Sequence, residues 1–294
     1  MTRPVDIIVA PFHAGVRDSR VGKGPYRLIK AGLLQALGGP ARAMTVTEIE
    51  PVEAFEGEIG RTFEVKRRVA LAVSTALNRD HFPLVLAGNC NTSVGVHAGL
   101  ADPEVGVVWF DAHPDFNTPD EVTGGYFDGM GVATLAGQCW RQLASSIPNF
   151  QPIDLSRFVY CGIRDFEPGQ REKVEAYGVG AVYGDIDASV DFVGELSARL
   201  AGFPARALIH LDLDCLDTSV GYANDYAAPG GLSAEDLVGC LSLVAARTSP
   251  AAMTIASFDP DLPGAGAIAE AGVKAAQTIV RALDIGRRRP ERSA

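Results

Sequence analysis

Two stretches of the chain, VGVVWFDAHPD (105–115) and LIHLDLD (208–214), join an apolar run of strand-forming residues to acidic side chains spaced two apart. Residues two apart on a strand project from one face. The spacing therefore predicts that Asp111, His113 and Asp115 leave one strand end together, and Asp212 and Asp214 another. Open α/β sheets carry their ligand sites just beyond the carboxyl ends of the strands. Carboxylates converging there repel one another unless cations sit among them, so the pattern predicts a metal site, and a double one. Carboxylates with a single imidazole suit Mn²⁺, Mg²⁺ or a similar hard divalent ion better than structural zinc. Two such ions bridged by shared carboxylates bring the pKa of a bound water toward ~7, and hydroxide attack on a polarised carbon then accounts for a hydrolase. Solvated turn aspartates with a hydrogen-bonded core histidine would explain one such cluster; two clusters in one chain favour the metal.

These side chains need a sheet to carry them, and the chain supplies one. Strand signals fall at Val5–Ala10, Met44–Glu50, Pro83–Ala87, Val105–Phe110, Arg157–Cys161, Gly180–Tyr183, Ala205–Asp214 and Met253–Phe258. Between them lie helical patterns, among them Pro25–Leu37, Gly60–Asn78, Gly131–Leu143, Gln170–Ala176, Ser189–Leu200 and Gly266–Ile285, with another beginning near Ser233. Strands and helices alternate with no linker or composition break. The expectation is one α/β domain over 1–294, its mostly parallel sheet covered on both faces. The loop GVRDSRVGKGP (15–25) is basic and glycine-rich but lacks phosphate-loop spacing, so it reads as a shaped loop near a pocket or subunit contact. The basic end GRRRPERSA reads as a solvated tail.

A net charge of −10 argues against nucleic acid and anionic membrane surfaces as partners. No run approaches the ~18 apolar residues of a membrane span, and the N-terminal apolar run, interrupted by Asp6, reads as a strand instead of a signal peptide. The five cysteines show no CxxC spacing, which favours reduced thiols in a cytoplasmic protein.

DAHPDFNT, HLDLDCLD and GNCNTSVG resemble the three metal signatures of the arginase–agmatinase–formimidoylglutamase (ureohydrolase) family. The resemblance extends from the N-terminal GxxxSRVGKGPxxLxxAGL to SFDP near the end. It implies a three-layer α/β/α fold with an eight-stranded parallel sheet, a binuclear Mn²⁺ centre, a small guanidino or amidino substrate, and a homotrimer or homohexamer. By the same resemblance Asp111 and Asp212 bridge the two ions. Asp115 and Cys90 complete one, and His113 and Asp214 the other.

Departures from the family pattern bear on the chemistry. Cys90 stands where the family has a histidine ligand; a thiolate can ligate but is softer. The family member that hydrolyses Nω-hydroxyarginine also has cysteine there, and is similar at DFNTP and near Tyr226. Asp128 stands where members carry a proton-shuttling histidine, and could work as acid or base only with a raised pKa. Ser257 replaces a glutamate that grips the guanidinium, and Asp259, two residues on, is the candidate substitute. Asn117 matches a residue that binds the substrate α-carboxylate. Glu167 sits where an acidic residue holds the α-ammonium, while Gly124 replaces a serine that helps with the carboxylate. Asn91, Asp225 and Tyr226 are candidate pocket linings. The expected activity is hydrolysis of a C–N bond in a linear amidine such as arginine, hydroxyarginine or a related amino acid. The rival expectation, motivated by Cys90, Asp128 and Ser257, is a protein that keeps the fold without the chemistry and serves in binding or assembly.

Overall fold

In the computed structural model, which describes residues 2–38, 41–52, 57–122 and 124–286, eight runs of aliphatic and β-branched residues pair into one sheet. The strands are β1 (Val5–Ala10), β2 (Met44–Glu48), β3 (Phe82–Ala87), β4 (Gly106–Phe110), β5 (Phe158–Ile163), β6 (Gly180–Tyr183), β7 (Arg206–Asp212) and β8 (Ser249–Ala256). Their order across the sheet is β2-β1-β3-β8-β7-β4-β5-β6, and every neighbouring pair is parallel. β1, β3, β4 and β5 are buried along their whole length, as expected of a parallel sheet covered on both faces. β2, at one edge, is only half buried.

Alternate residues feed two separate cores. Ile7, Leu84, Phe110 and Leu211 pack on one face with Leu237, Leu241 and Ile279, from the helices Ala234–Arg247 and Ala265–Gly286. Ile8, Val85 and Trp109 pack on the other with Phe63, Val69 and Val94, from the helices Glu58–Asn78 and Ser93–Leu100. The result is the predicted three-layer α/β/α arrangement. Among the described residues no helix is long and apolar enough to cross a membrane.

The structure corrects several sequence expectations. The helix expected over 131–143 is two short helices, Gly131–Leu135 and Arg141–Ala144, separated where Gly137 (φ +68°) and Trp140 (φ +53°) take left-handed conformations. The helix expected over 25–37 breaks at Gly32 (φ +97°). β4 stops at Phe110 and β7 at Asp212, short of the acidic residues that follow. The ligand candidates are therefore carried mainly by turns, not by strand periodicity. The tail over 287–294 lies outside the described residues. The order β3-β8-β7-β4 is what matters for function, because it sets the carboxyl ends of four strands side by side.

Candidate metal centre

Three of those strand ends, of β3, β4 and β7, carry the predicted ligands on turns held by close packing and hydrogen bonds. After β3 the chain passes through Gly88, where a Cβ would lie 2.0 Å from the Phe12 carbonyl oxygen, so only glycine fits. A short 3₁₀ turn, Cys90–Thr92, then opens the helix Ser93–Leu100. After β4, Asp111 folds back on its own turn: Oδ1 accepts from the His113 N–H (2.7 Å) and Oδ2 from the Trp109 indole N–H (2.8 Å). Asp115 takes a left-handed conformation (φ +47°). At the end of β7, Asp212 caps the 3₁₀ turn Leu213–Cys215 by accepting from the Asp214 N–H (2.8 Å). Asp214 accepts from the Ala112 N–H (3.0 Å) and from Asn224 Nδ2 (2.8 Å), which ties the β7 turn to the β4 turn.

These turns bring all six predicted ligands into one region. His113 Nδ1 lies 3.4 Å from Asp111 Oδ1 and 3.3 Å from Asp214 Oδ2, and ligand atoms of these three residues lie within 4.8 Å of one another. A second such threesome is Cys90, Asp111 and His210. The Cys90 thiol donates to Asp212 Oδ2 at 2.7 Å, which links Asp212 to that side. Asp115 Oδ2 is buried with no hydrogen-bond partner among the described residues.

The electrostatics are those of a site short of positive charge. Burial, and then Asp214, push Asp111 up to about 7. Burial and neighbouring carboxylates raise Asp115 and Asp212 well above the usual carboxylate range. Burial works against charge on His113, but Asp214, Asp111 and Asp165 around it raise its pKa well above the ordinary histidine value. Burial would raise Asp214 too, yet His113 and the donors to its carboxylate hold it low. Burial and Asp212 raise Cys90. A divalent cation among such groups removes the repulsion. The donor sets fit one: oxygen and nitrogen at Asp111, His113 and Asp214, with sulfur added at Cys90.

Above the cluster opens a cavity of about 400 Å³, lined near its floor by Cys90, His113, Asp115, Asp128, Asp212 and Asp214. Asn117 and Glu167 also line it, and Asn117 Nδ2 donates to Glu167 Oε2 at 2.8 Å. Gly124, Tyr126 and Tyr226 contribute too, the two tyrosine rings being 5.2 Å apart. Ser257 (φ +60°) faces the same space, its Oγ accepting from Asn224 Nδ2 at 2.9 Å. Asp259 is not part of the lining; its Oδ1 accepts from the Asp261 N–H (3.1 Å). The carboxylate expected there in place of the family's glutamate is thus turned to its own loop. Asn91 and Asp225 are outside the lining as well, Asp225 being paired with Arg20.

Asp128 holds the cysteine turn. Its Oδ2 accepts from Asn89 Nδ2 (2.6 Å) and the Cys90 N–H (3.1 Å), and its Oδ1 from the Asn91 N–H (2.8 Å). Burial raises its pKa, while these donors and Lys66 oppose the rise. Other supporting residues had no local sequence signal. Asp165, after β5, places Oδ2 3.5 Å from His113 Nε2 and orients that imidazole. Arg164 gives its guanidinium to the carbonyls of Asp214 (2.9 Å), Leu216 (3.1 Å) and Ala228 (2.6 Å), bracing the β7 turn. His210 did carry a signal: it lies two residues before Asp212 on β7 and shares its face.

Lys66, fully buried in the helix Glu58–Asn78, has no hydrogen bond among the described residues; its Nζ sits 4.3 Å from the Phe63 ring and 4.4 Å from the Phe127 ring. Burial lowers its pKa to about 7, with Asp128 opposing. Between that value and the unfolded value of about 10.4, the unfolded chain binds a proton that the folded chain lacks, so this group makes stability rise with pH. The slope is about 1.4 kcal/mol per pH unit. Lys66→Met is expected to remove that rise, as urea unfolding of both proteins at pH 7 and 9 would show; equal slopes would refute it.

A family model described as the arginase family matches residues 3–282. Arginase-1 of Oryctolagus cuniculus is 31% identical over 260 residues, covering 79% of this chain and 77% of that protein. The solved structure of arginase from Bacillus caldovelox superposes with a TM-score of 0.83 at 23% identity, covering 95% of this chain and 98% of that one. Formimidoylglutamase from Bacillus subtilis superposes with a TM-score of 0.72 at 19% identity, covering 97% of this chain and 88% of that one.

Proposed function

The chain belongs to the arginase family, and from that premise we propose that it hydrolyses a C–N bond in a linear guanidino or amidino amino acid. Two divalent ions, Mn²⁺ foremost, held by Cys90, Asp111, Asp115 and Asp212 on one side and Asp111, His113, Asp212 and Asp214 on the other, would supply Lewis acidity and acidify water. The observation that carries the reading is the meeting of Asp111, His113 and Asp214 within 4.8 Å, beside a cavity that is also lined by the Asn117–Glu167 pair.

The other roles fall to the chain's own residues. Glu167 takes the substrate α-ammonium and Asn117 its α-carboxylate, so the substrate end is fixed by charge and by amide hydrogen bonds. Asp128, on the cavity wall, carries a proton to the leaving nitrogen; its raised pKa suits that task. Tyr126 and Tyr226 form one aromatic side of the cavity that receives the substrate. Ser257 presents a hydroxyl where a plain guanidinium would want a carboxylate, which favours a guanidine bearing a polar substituent, as in hydroxyarginine. The free, buried cysteines support a reducing compartment. We read 1–294 as a single catalytic domain that assembles as a trimer or hexamer.

The test is product release from a panel of arginine, Nω-hydroxyarginine, agmatine and formimidoylglutamate by the Mn²⁺-loaded protein. Turnover is expected with arginine and Nω-hydroxyarginine, the latter higher, and little with agmatine, which lacks the carboxylate, or formimidoylglutamate, whose α-nitrogen is substituted. Turnover of agmatine above the amino acids would refute the assigned orientation. Glu167→Gln is expected to raise KM for the preferred amino acid roughly 10- to 100-fold with a smaller change in kcat, the size of one charged hydrogen bond. An unchanged KM would remove Glu167 from the substrate site.

A further inference from the structure

Resting on the metal-dependent reading above, we propose that His210 is an unassigned ligand of the centre, binding the Cys90-side ion together with Cys90 and Asp111. The family pattern replaced at Cys90 would take an imidazole from the turn after β3; here an imidazole reaches the same place from β7. A ring nitrogen of His210, the Cys90 sulfur and an Asp111 carboxylate oxygen lie within 4.8 Å of one another. His210 has no exposed surface, and its Nε2 has no hydrogen-bond partner among the described residues.

The rest of the ring is held as a ligand's should be. His210 Nδ1 lies 2.7 Å from Ser93 Oγ, in the helix that follows the cysteine turn. The imidazole stacks on Trp109, with ring centroids 3.5 Å apart and planes 20° apart. Trp109 in turn donates to Asp111 at 2.8 Å. With the proton on Nδ1, the Ser93 contact leaves a lone pair on Nε2, and such an outer partner is what fixes tautomer and orientation in metal-binding histidines. A fully buried ring nitrogen left without a partner is costly in a histidine that only fills space.

The assignment makes the two halves of the centre chemically unequal. Sulfur, nitrogen and oxygen donors on the Cys90 side are softer than the Asp111, His113 and Asp214 set, so that side prefers Co²⁺ or Zn²⁺ over Mn²⁺.

The experiment is titration of metal-free protein with Co²⁺, followed by the thiolate-to-cobalt absorption band and by bound cobalt per chain, for the parent, His210→Ser and His210→Gln. The parent is expected to bind two ions, one of them carrying the band. In the variants the band-bearing ion should weaken by more than the 10- to 100-fold typical of losing an outer-shell partner, while the other ion stays. Both ions and an unchanged band in the variants would overturn the inference and leave the proposed function standing. No cobalt bound by the parent would overturn both. X-ray absorption of the cobalt-loaded parent guards against a misfolded variant. Two imidazoles shared over two ions support His210 as a ligand, and a single imidazole overturns it.

Discussion

Replacing Asp111 with asparagine is expected to remove both ions, to cut turnover by more than the ~100-fold that losing an outer-shell partner costs, and yet to stabilise the metal-free protein at pH 7. Asp111 is the residue common to both ligand threesomes, so its loss weakens both ions together. The stability effect has the opposite sign because Asp111 sits among carboxylates that repel it. Its pKa is pushed up to about 7 by burial and then by Asp214. Between the unfolded value near ~4 and that folded value, the folded chain holds a proton that the unfolded chain has lost. Stability therefore falls as pH rises through that window, by about 1.4 kcal/mol per pH unit. Asparagine cannot ionise, so the penalty is absent from the variant at pH 7 and above. Urea unfolding with chelator at pH 5 and 7.5 measures it, and Mn²⁺ should restore stability in the parent only. A variant less stable than the metal-free parent at pH 7.5, or one still stabilised by Mn²⁺, would contradict this account.

Asp128→Ala is expected to be the most damaging change outside the ligands, costing roughly 3–5 kcal/mol of stability. Truncation leaves Asn89 Nδ2 and the N–H groups of Cys90 and Asn91 buried without their acceptor. It also takes from Lys66 the charge that most favours its protonation. The turn that presents Cys90 then loosens, so the Cys90-side ion should weaken as well. Asp128→Asn separates anchoring from proton transfer, because it keeps the shape and one acceptor oxygen but cannot ionise. A folded, metal-loaded Asp128→Asn protein with turnover at the noise level is the expected result. Parental turnover in that variant would reduce Asp128 to an anchor.

The parts of this molecule that were legible in the sequence are those where physics is local. Gln170–Ala176 and Gly180–Tyr183 have the predicted bounds, and the acidic residues after β4 and β7 do converge, because parallel strands deliver their carboxyl ends to one edge. Their route there differs from the strand expectation: Asp111, His113 and Asp115 follow β4 on a turn, and turn geometry has no two-residue period to read. The break between residues 135 and 141 depends on a left-handed tryptophan, Trp140, for which sequence gives no cue. Asp165, Asn224 and Lys66 act on the site across 52, 10 and 62 residues of chain, counted to His113, Asp214 and Asp128, and such distances are closed only by the fold. His210 is the exception. It lies two residues before Asp212 on one strand face, a spacing the sequence shows, but its apolar strand context reads as core.

Bound ions per chain, counted by elemental analysis after loading with Co²⁺ and desalting, show whether the centre is binuclear and whether Cys90 is a ligand when the parent and Cys90→Ala are run side by side. Two ions are expected in the parent and one in the variant, the survivor held by Asp111, His113 and Asp214. One ion or none in the parent, or the same count in both proteins, would contradict a binuclear centre with Cys90 among its ligands.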